Sequence, residues 1–443
     1  MELSRLKRIT ALAGVASLAI VTSVCGGGGS DEPASADNPV NLTVTTFGQF
    51  GYDDLYAEYE EQNPGVTIEA TNIDGSANAR TDAFTKLAAG SGLSDVVAVE
   101  EGWLGSIMEV SDQFVDLNEY GAADIKDNWV DWKFEQGTDP EGRVIGLGTD
   151  IGPQALCYNQ ELFEAAGLPT DREEVAALFG GDDATWETYF DLGRQYNETT
   201  GKAWYDQSAF VWNSMVNQME EGYYTADGEL NVEGNEAMRA QFDLLAAGTA
   251  DGLSANQKQF DWGKGKAFVD GSFAVHVCPA WMLGTIKEQL EAAGGGPETG
   301  WDVADVFPGG ASNWGGAFLS VPESSEHPAE AAKLAQWLTD PEQMVKQSAA
   351  ANNFPSTLEA QAAIVGDDDE QGVRPRSVAF RSALQRPVRQ HSSRSSGRPG
   401  RVLGRELRHL RSHFGVGSDG TRDGERALAA RDRGAEEKDR APE

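Results

Sequence analysis

Residues 63–70, Asn63-Pro64-Gly65-Val66-Thr67-Ile68-Glu69-Ala70, indicate the fold class of this 443-residue chain. The Asn-Pro-Gly step ends one segment, and the alternating apolar residues after it predict a strand. The segment before it predicts a helix, because Tyr52, Leu55, Tyr56 and Tyr59 recur at helical spacing. Further strands are predicted at 42–47 and 95–99, with a second helix at 78–89. This alternation predicts a parallel sheet covered by helices, with ligands at the carboxyl ends of its strands.

The first 30 residues predict where the protein works. Three basic side chains precede an apolar run over residues 9–24, which is 16 residues long. A membrane-spanning helix needs about 20 residues, so the pattern predicts an export signal at 1–24. A flexible tether rich in Gly and Ser is predicted at 25–40. Cys25 and its spacer resemble a bacterial lipoprotein, with two alternatives: a lipid anchor on Cys25 at the outer face of the cell membrane, or ordinary cleavage and secretion.

Charge divides the chain into two unlike parts. Residues 373–443 hold 17 of the 35 basic and 9 of the 71 acidic residues, a net charge of +8, whereas the preceding 372 residues carry −44. The basic part has too few apolar side chains to offset the entropy of ordering it. We therefore expect the Arg-rich tail at 371–443 to be disordered or the product of a frameshift. The acidic body is long enough for two domains, and its charge disfavours nucleic acid as a partner.

Further motifs follow one another along the body. Tyr158-Asn159-Gln-Glu-Leu162-Phe163 runs into Ala166-Gly167-Leu168, and later come Thr185-Trp186-Glu187, Gly265-Lys266-Ala267-Phe268, Asn313-Trp-Gly-Gly316 and Glu326-His-Pro328. In this order, over about residues 41–360, they resemble family 1 extracellular solute-binding proteins, the sugar-binding components of ABC importers.

The resemblance implies an α/β fold of two lobes, as in periplasmic binding proteins, joined by hinge strands that cross between them. It places lobe 1 at 41–148 plus 278–313 and lobe 2 at 149–277 plus 314–370. It also implies a monomeric receptor, without enzymatic activity or cofactor, that delivers a saccharide to ABC permease subunits in the membrane. Receptors for a peptide or a polyol, and an exported carbohydrate-active hydrolase, are the alternatives.

The predicted ligand site rests on the chemistry of a sugar ring. Such a ring has an apolar C–H face and a rim of hydroxyls, so it needs flat aromatic surfaces and planar polar groups. Trp281 and Trp314 are favoured among the 11 tryptophans because each lies near Pro or Gly at a proposed crossing. For each tryptophan core packing is the alternative, and for Asp150 a role in the turn. The predicted contacts are Phe47, Gln49, Glu101, Trp103, Asp150, Gln154, Trp212, Trp262, Trp281 and Trp314.

Other chemistry receives little support from the sequence. Cys157 and Cys278 would either pair outside the cytoplasm or stay as buried thiols, and both alternatives remain open. His276 lies in an apolar strand and is expected in the core. The chain has no phosphate-binding Gly-Lys-Ser/Thr loop, and the acidic run at 367–370 lacks the ligand spacing of a calcium loop. Neither a catalytic set nor a metal site is predicted.

Overall fold

The computed structural model describes residues 34–35, 37–225, 229–258, 260–295 and 300–366. The predicted export signal, Cys25 and the Arg-rich tail lie outside these residues. Among the described residues, no helix combines the length and apolar character needed to cross a membrane.

The described residues form strands and helices in alternation. The strands are β1 (Val40–Phe47), β2 (Val66–Ile73), β3 (Val96–Glu100), β4 (Leu147–Gly148), β5 (Asp150–Ile151), β6 (Gln154–Asn159), β7 (Ala203–Tyr205), β8 (Phe273–Pro279), β9 (Trp301–Ala304), β10 (Ala317–Ser320) and β11 (Phe354–Pro355). The α-helices are α1 (Asp53–Gln62), α2 (Ser76–Ala89), α3 (Glu101–Met108), α4 (Asp131–Gln136), α5 (Gln160–Ala165), α6 (Arg172–Phe179), α7 (Trp186–Thr200), α8 (Ser208–Asn217), α9 (Glu236–Ala250), α10 (Lys266–Val269), α11 (Met282–Ala292), α12 (Pro328–Leu338), α13 (Pro341–Ala351) and α14 (Leu358–Gly366).

The first sheet has the strand order β2-β1-β3-β10-β4. β1 pairs in parallel with β2 and β3, and β10 pairs antiparallel with β3 and β4. The strands and helices predicted around residues 63–70 are thus confirmed. Gly65 has a φ of 102°, and a Cβ there would overlap the backbone of Ser35, so the turn before β2 requires glycine.

The second sheet has the order β7-β8-β6-β9 and packs against an aromatic core. Trp204 is fully buried and its ring stacks on Phe163 at 5.7 Å. His276 of β8 is also fully buried, as expected for a core histidine. Cys157 of β6 and Cys278 of β8 form a disulfide, which decides between the two alternatives left by the sequence. This bond joins neighbouring strands in the middle of the second sheet.

The chain crosses between the sheets twice. It leaves the first sheet at β4, and β6 already belongs to the second sheet; it returns between β9 and β10. The short strand β5 lies between the sheets and pairs with β11, which follows α13. Hinge strands that cross between two lobes are therefore present.

The predicted lobe boundaries need correction after residue 277. The segment 278–313 was assigned to lobe 1, but β9 pairs with β6 of the second sheet. The segment 314–370 was assigned to lobe 2, but β10 pairs with β3 of the first sheet, and α12 packs in the core beneath it. The error arose because a strand's sequence fixes its alternation but not the sheet that it joins. Sheet pairing and core packing place lobe 1 at about 40–150 plus 317–366 and lobe 2 at about 152–314.

Candidate functional site

The candidate site lies where the two crossing segments meet. Asn313, on the returning segment, accepts a hydrogen bond from the Gly152 amide at 2.9 Å. Its side-chain amide donates to Glu101 at 2.9 Å, and the Glu101 backbone amide donates to the Gly316 carbonyl at 3.0 Å. These bonds tie both crossings to the carboxyl end of β3. We call the surroundings the junction site, formed by Glu101, Asp150, Phe260, Trp281 and Trp314.

The first lobe supplies charged groups to this junction. Asp150 is 7% exposed, and its Oδ1 accepts hydrogen bonds from Thr149 Oγ1 at 2.6 Å and the Ala317 amide at 2.9 Å. Glu101 also accepts a bond from Gln136 at 3.2 Å. Burial raises the pKa of both carboxyl groups, and the nearby ammonium of Lys133 opposes that rise. The carboxylates are thus fixed in place by donors and can offer further lone pairs to a ligand.

Glu100 lies beside them at the end of β3. Burial raises its pKa to about 7, and the charge of Glu101 adds to the rise. Ser76 Oγ donates a weak hydrogen bond to its Oε2 at 3.2 Å. Glu100 thus adds a third carboxyl group beside the junction site, with its pKa raised to about 7 by burial.

The second lobe supplies aromatic rings. Trp281 and Trp314 are both half-buried, and their rings meet edge-on at 5.8 Å. Trp281 Nε1 donates to the Trp314 carbonyl at 2.9 Å, while the Trp314 ring packs on Phe210 at 4.7 Å. These contacts hold the two indoles rigidly and leave part of each ring free of protein.

Phe260 extends this aromatic surface and was not predicted. Its ring is 52% exposed and stacks on Trp281 at 6.3 Å with an interplanar angle of 27°. Its φ is 58°, and Asn256, Trp262 and Lys264 also have positive φ values. Such backbone strain persists only where the surroundings enforce it. The signal available in the sequence was a second aromatic residue beside Trp262 in a polar loop before Gly263 and Gly265.

Three predicted contacts lie in the interior of this structure, and their contact with a ligand stays a prediction. Trp262 is fully buried and donates to Asp206 at 2.9 Å. Gln154 is 1% exposed and donates to Ser214 at 2.7 Å. Trp103 is 3% exposed, within reach of Ser76 and edge-on to Phe84. Each side chain donates to a protein partner, but the buried Gln154 Oε1 has no hydrogen-bond partner among the described residues.

The remaining predicted residues lie at the edges. Gln49 is exposed, and a side chain at Gly284 of α11 would meet its Oε1 at 3.2 Å, so Gln49 lies against the second lobe. Phe47 is half-buried and packs edge-on against Phe50 at 5.2 Å. Trp212 is half-buried and held by Tyr223 and Phe242 rather than by the junction residues.

The junction suits binding of a polar ring by two kinds of contact. Flat indole and phenyl faces attract an apolar ring face, and fixed carboxylates accept hydrogen bonds from hydroxyl groups. The described part of the chain contains no group of three or more His, Cys, Asp or Glu side chains arranged to hold a metal ion.

The chain is similar to known binding proteins. A family model described as bacterial extracellular solute-binding protein matches residues 54–372. A lactose-binding protein of Rhizobium radiobacter is 27% identical over 207 residues, which are 43% of this chain and 44% of that protein. An arabinooligosaccharide-binding protein of Bacillus subtilis is 23% identical over 330 residues, 70% of this chain and 71% of that protein. The match thus spans less than half of the lactose-binding protein.

Solved structures show the same fold. A crystal structure of an extracellular solute-binding protein of family 1 has 41% sequence identity and a TM-score of 0.68, over 80% of this chain and 89% of that one. The ABC transporter-associated binding protein of B. animalis subsp. lactis was solved with β-1,6-galactobiose. It has 20% identity and a TM-score of 0.63, and the match covers 79% of this chain and 86% of that one. Two-lobe binding proteins therefore share the architecture of this chain.

Proposed function

Because this chain belongs to the bacterial extracellular solute-binding protein family, we propose that it is a receptor that binds an oligosaccharide outside the cell and delivers it to the permease subunits of an ABC importer. One observation carries the proposal: half-buried Trp281 and Trp314 lie at the junction on the side of one lobe, while Glu101 and Asp150 border it from the other. A sugar uses both surfaces at once, whereas a purely apolar solute offers no hydroxyl to the remaining lone pairs of the carboxylates.

The names of the relatives support an oligosaccharide. They bind lactose and arabino-oligosaccharides, and a structural neighbour holds a β-1,6-linked galactobiose. These ligands share several hydroxyls and at least one apolar ring face, which are the features that the junction site recognises. A peptide or polyol receptor is the alternative within this family, and a hydrolase is the alternative outside it.

Export and anchoring belong to the same proposal. A receptor for an importer works at the outer face of the cell membrane, and a lipid on Cys25 would hold it there through the predicted tether. If Cys25 is not acylated, the protein is secreted instead. Metabolic labelling with a clickable fatty acid, compared between the parent and Cys25→Ala, distinguishes the two. We further propose that the receptor is monomeric and changes no covalent bond of its ligand.

A thermal-shift screen tests the proposal directly. Lactose, arabinotriose, β-1,6-galactobiose, a tripeptide and sorbitol are added separately, and calorimetry follows for any hit. We expect a shift with at least one oligosaccharide and none with the tripeptide or sorbitol, since binding to the native state alone raises its stability. Chromatography should recover the hit unchanged. A shift only with the tripeptide or sorbitol contradicts the proposal, and released monosaccharide favours the hydrolase.

Small-angle scattering tests the hinge. A ligand that contacts both lobes favours their closed arrangement only through its higher affinity for that state. We expect the radius of gyration to fall at saturating oligosaccharide. An unchanged radius with tight binding would mean that the site lies within one lobe or that the lobes are closed beforehand.

A further inference from the structure

Lys133 occupies an unusual position behind the junction site. It belongs to α4, its side chain is fully buried, and its Nζ makes no hydrogen bond within the described residues. A buried ammonium without a partner costs several kcal/mol unless nearby charges compensate for its lost hydration. The surroundings of Lys133 must therefore compensate for the lost hydration of its ammonium.

The surrounding backbone leaves room for this one side chain. A Cβ at Gly148 would lie 2.6 Å from Lys133 Cγ, and a Cβ at Gly316 would lie 2.8 Å from Lys133 Nζ. The ammonium sits 3.8 Å from the centre of the Phe318 ring, a cation–π contact. Gly148 of β4, Phe318 of β10 and Gly316 just before β10 thus accommodate the whole length of the lysine.

The charges around Lys133 come from separate segments. Glu100 and Glu101 lie where β3 meets α3, and Asp150 lies on the crossing strand β5; all three interact electrostatically with the ammonium. Tyr52, just before α1, also interacts electrostatically with Asp150. Lys133 is the one cation that the structure places among these groups within the described residues.

We propose that Lys133 is a positioning residue for ligand binding: its ammonium is the shared counter-charge that keeps Glu101 and Asp150 ionised and able to accept hydrogen bonds from ligand hydroxyls. Lys133 is too deeply buried to touch the ligand, so it acts through these two carboxylates. The ligand part of this inference rests on the proposed function, whereas the electrostatic part does not.

The electrostatic part is tested without ligand. The free energy of unfolding in urea is measured between about pH 5 and 8 for the parent and Lys133→Met, which keeps an apolar stem beside Phe318. Without the ammonium the nearby carboxyl groups stay protonated up to a higher pH. The pH range over which stability falls should therefore extend further upward in Lys133→Met than in the parent. Lys287→Met, an exposed lysine on α11, should leave the profile unchanged. A stability loss in Lys133→Met that is equal at every pH overturns the proposal.

The ligand part is tested by calorimetry with arabinotriose and lactose at about pH 6 and pH 8. We expect Lys133→Met to bind about tenfold more weakly at the lower pH and to approach the parent at the higher pH, since one pKa unit corresponds to a factor of ten. Equal weakening at both pH values overturns the positioning role.

A second variant covers the case in which Lys133→Met does not fold. In Glu101→Gln only two carboxylates share the ammonium, so the pKa of each should be lower. Affinity for the saccharide should therefore begin to fall at a lower pH than in the parent. An unmoved profile contradicts the proposal. If the parent binds neither saccharide, the proposed function fails for these sugars, and the ligand-free profile alone decides whether Lys133 is the shared counter-charge.

Discussion

The two sides of the junction site are built from opposite chemistry. The first lobe and its crossing strand contribute Glu101 and Asp150, held by backbone and side-chain donors, whereas the second lobe contributes the rings of Trp281, Trp314 and Phe260. Carboxylates give direction, because a hydrogen bond requires a defined geometry. Aromatic faces give contact area with little demand on direction. One lobe therefore sets how a ligand is oriented and the other how strongly it is held.

The disulfide provides the largest expected effect, and it belongs to the second lobe alone. Cys157 and Cys278 are 121 residues apart in sequence, and cross-links of that span contribute about 2–5 kcal/mol to stability. We expect the Cys157→Ala/Cys278→Ala variant to lose stability of this size in urea unfolding followed by tryptophan fluorescence. Dithiothreitol should destabilise the parent but not the variant. A parent that resists reductant without loss of stability would contradict this.

The aromatic side is tested next. Trp281→Ala and Trp314→Ala should each weaken binding of the oligosaccharide found in the screen by about 1–3 kcal/mol, because a large contact surface is lost. Trp212→Ala is the matched control, since that indole contacts Tyr223 and Phe242 instead. Calorimetry gives the affinities, and melting curves show whether each variant folds. Parent-like binding by both folded variants would mean that the two indoles only support the structure.

The carboxylate side should give a smaller loss. Asp150→Asn and Glu101→Gln keep one acceptor oxygen each, so we expect affinity to fall by about 1 kcal/mol, near the net value of one hydrogen bond. Enthalpy should change more than in the tryptophan variants, because a directional contact is weakened. The same calorimetric titrations measure both quantities. If affinity falls by more than in Trp281→Ala, the carboxylates rather than the aromatic rings contribute most of the binding strength.

Glu100 is expected to change the pH dependence of stability rather than the affinity for ligand. Its pKa is raised by burial to about 7 in the folded chain, above the ordinary value of 4.5. Its contribution to stability is therefore fully present below about pH 4.5 and is lost as pH rises through about 7. Glu100→Gln should remove this part of the decline, as measured by urea unfolding at a series of pH values. An identical slope in parent and variant would show that Glu100 does not titrate in this range.

Local features of this fold were predictable, and long-range ones were not. The strand after Gly65 follows from alternation over a few residues, which sequence shows directly. The sheet that β9 or β10 joins depends on contacts far away along the chain, so the boundary after residue 277 was wrong. Trp314 and Trp262 show the same limit within the site: both are tryptophans in Gly-containing segments, yet one is half-buried at the junction and the other is in the core.

Lys133 and Asn313 were not predicted as site residues, and the reasons are related. Lys133 lies in a short helix with charged neighbours, where a lysine is usually solvated, and its burial depends on glycines in other segments. Asn313 was quoted only as part of a motif, although its side chain joins both crossings. Both roles depend on contacts between segments that are distant in sequence.

The position of β10 between β3 and β4 has a consequence for biosynthesis. β3 ends at Glu100, but the strand that covers its free edge begins only at Ala317, after the whole second lobe. While the chain emerges from the ribosome, the β3 edge has unpaired backbone groups, which favour association with other chains. The first sheet is completed only after the second lobe has been made, so the β3 edge stays without its partner strand throughout that interval.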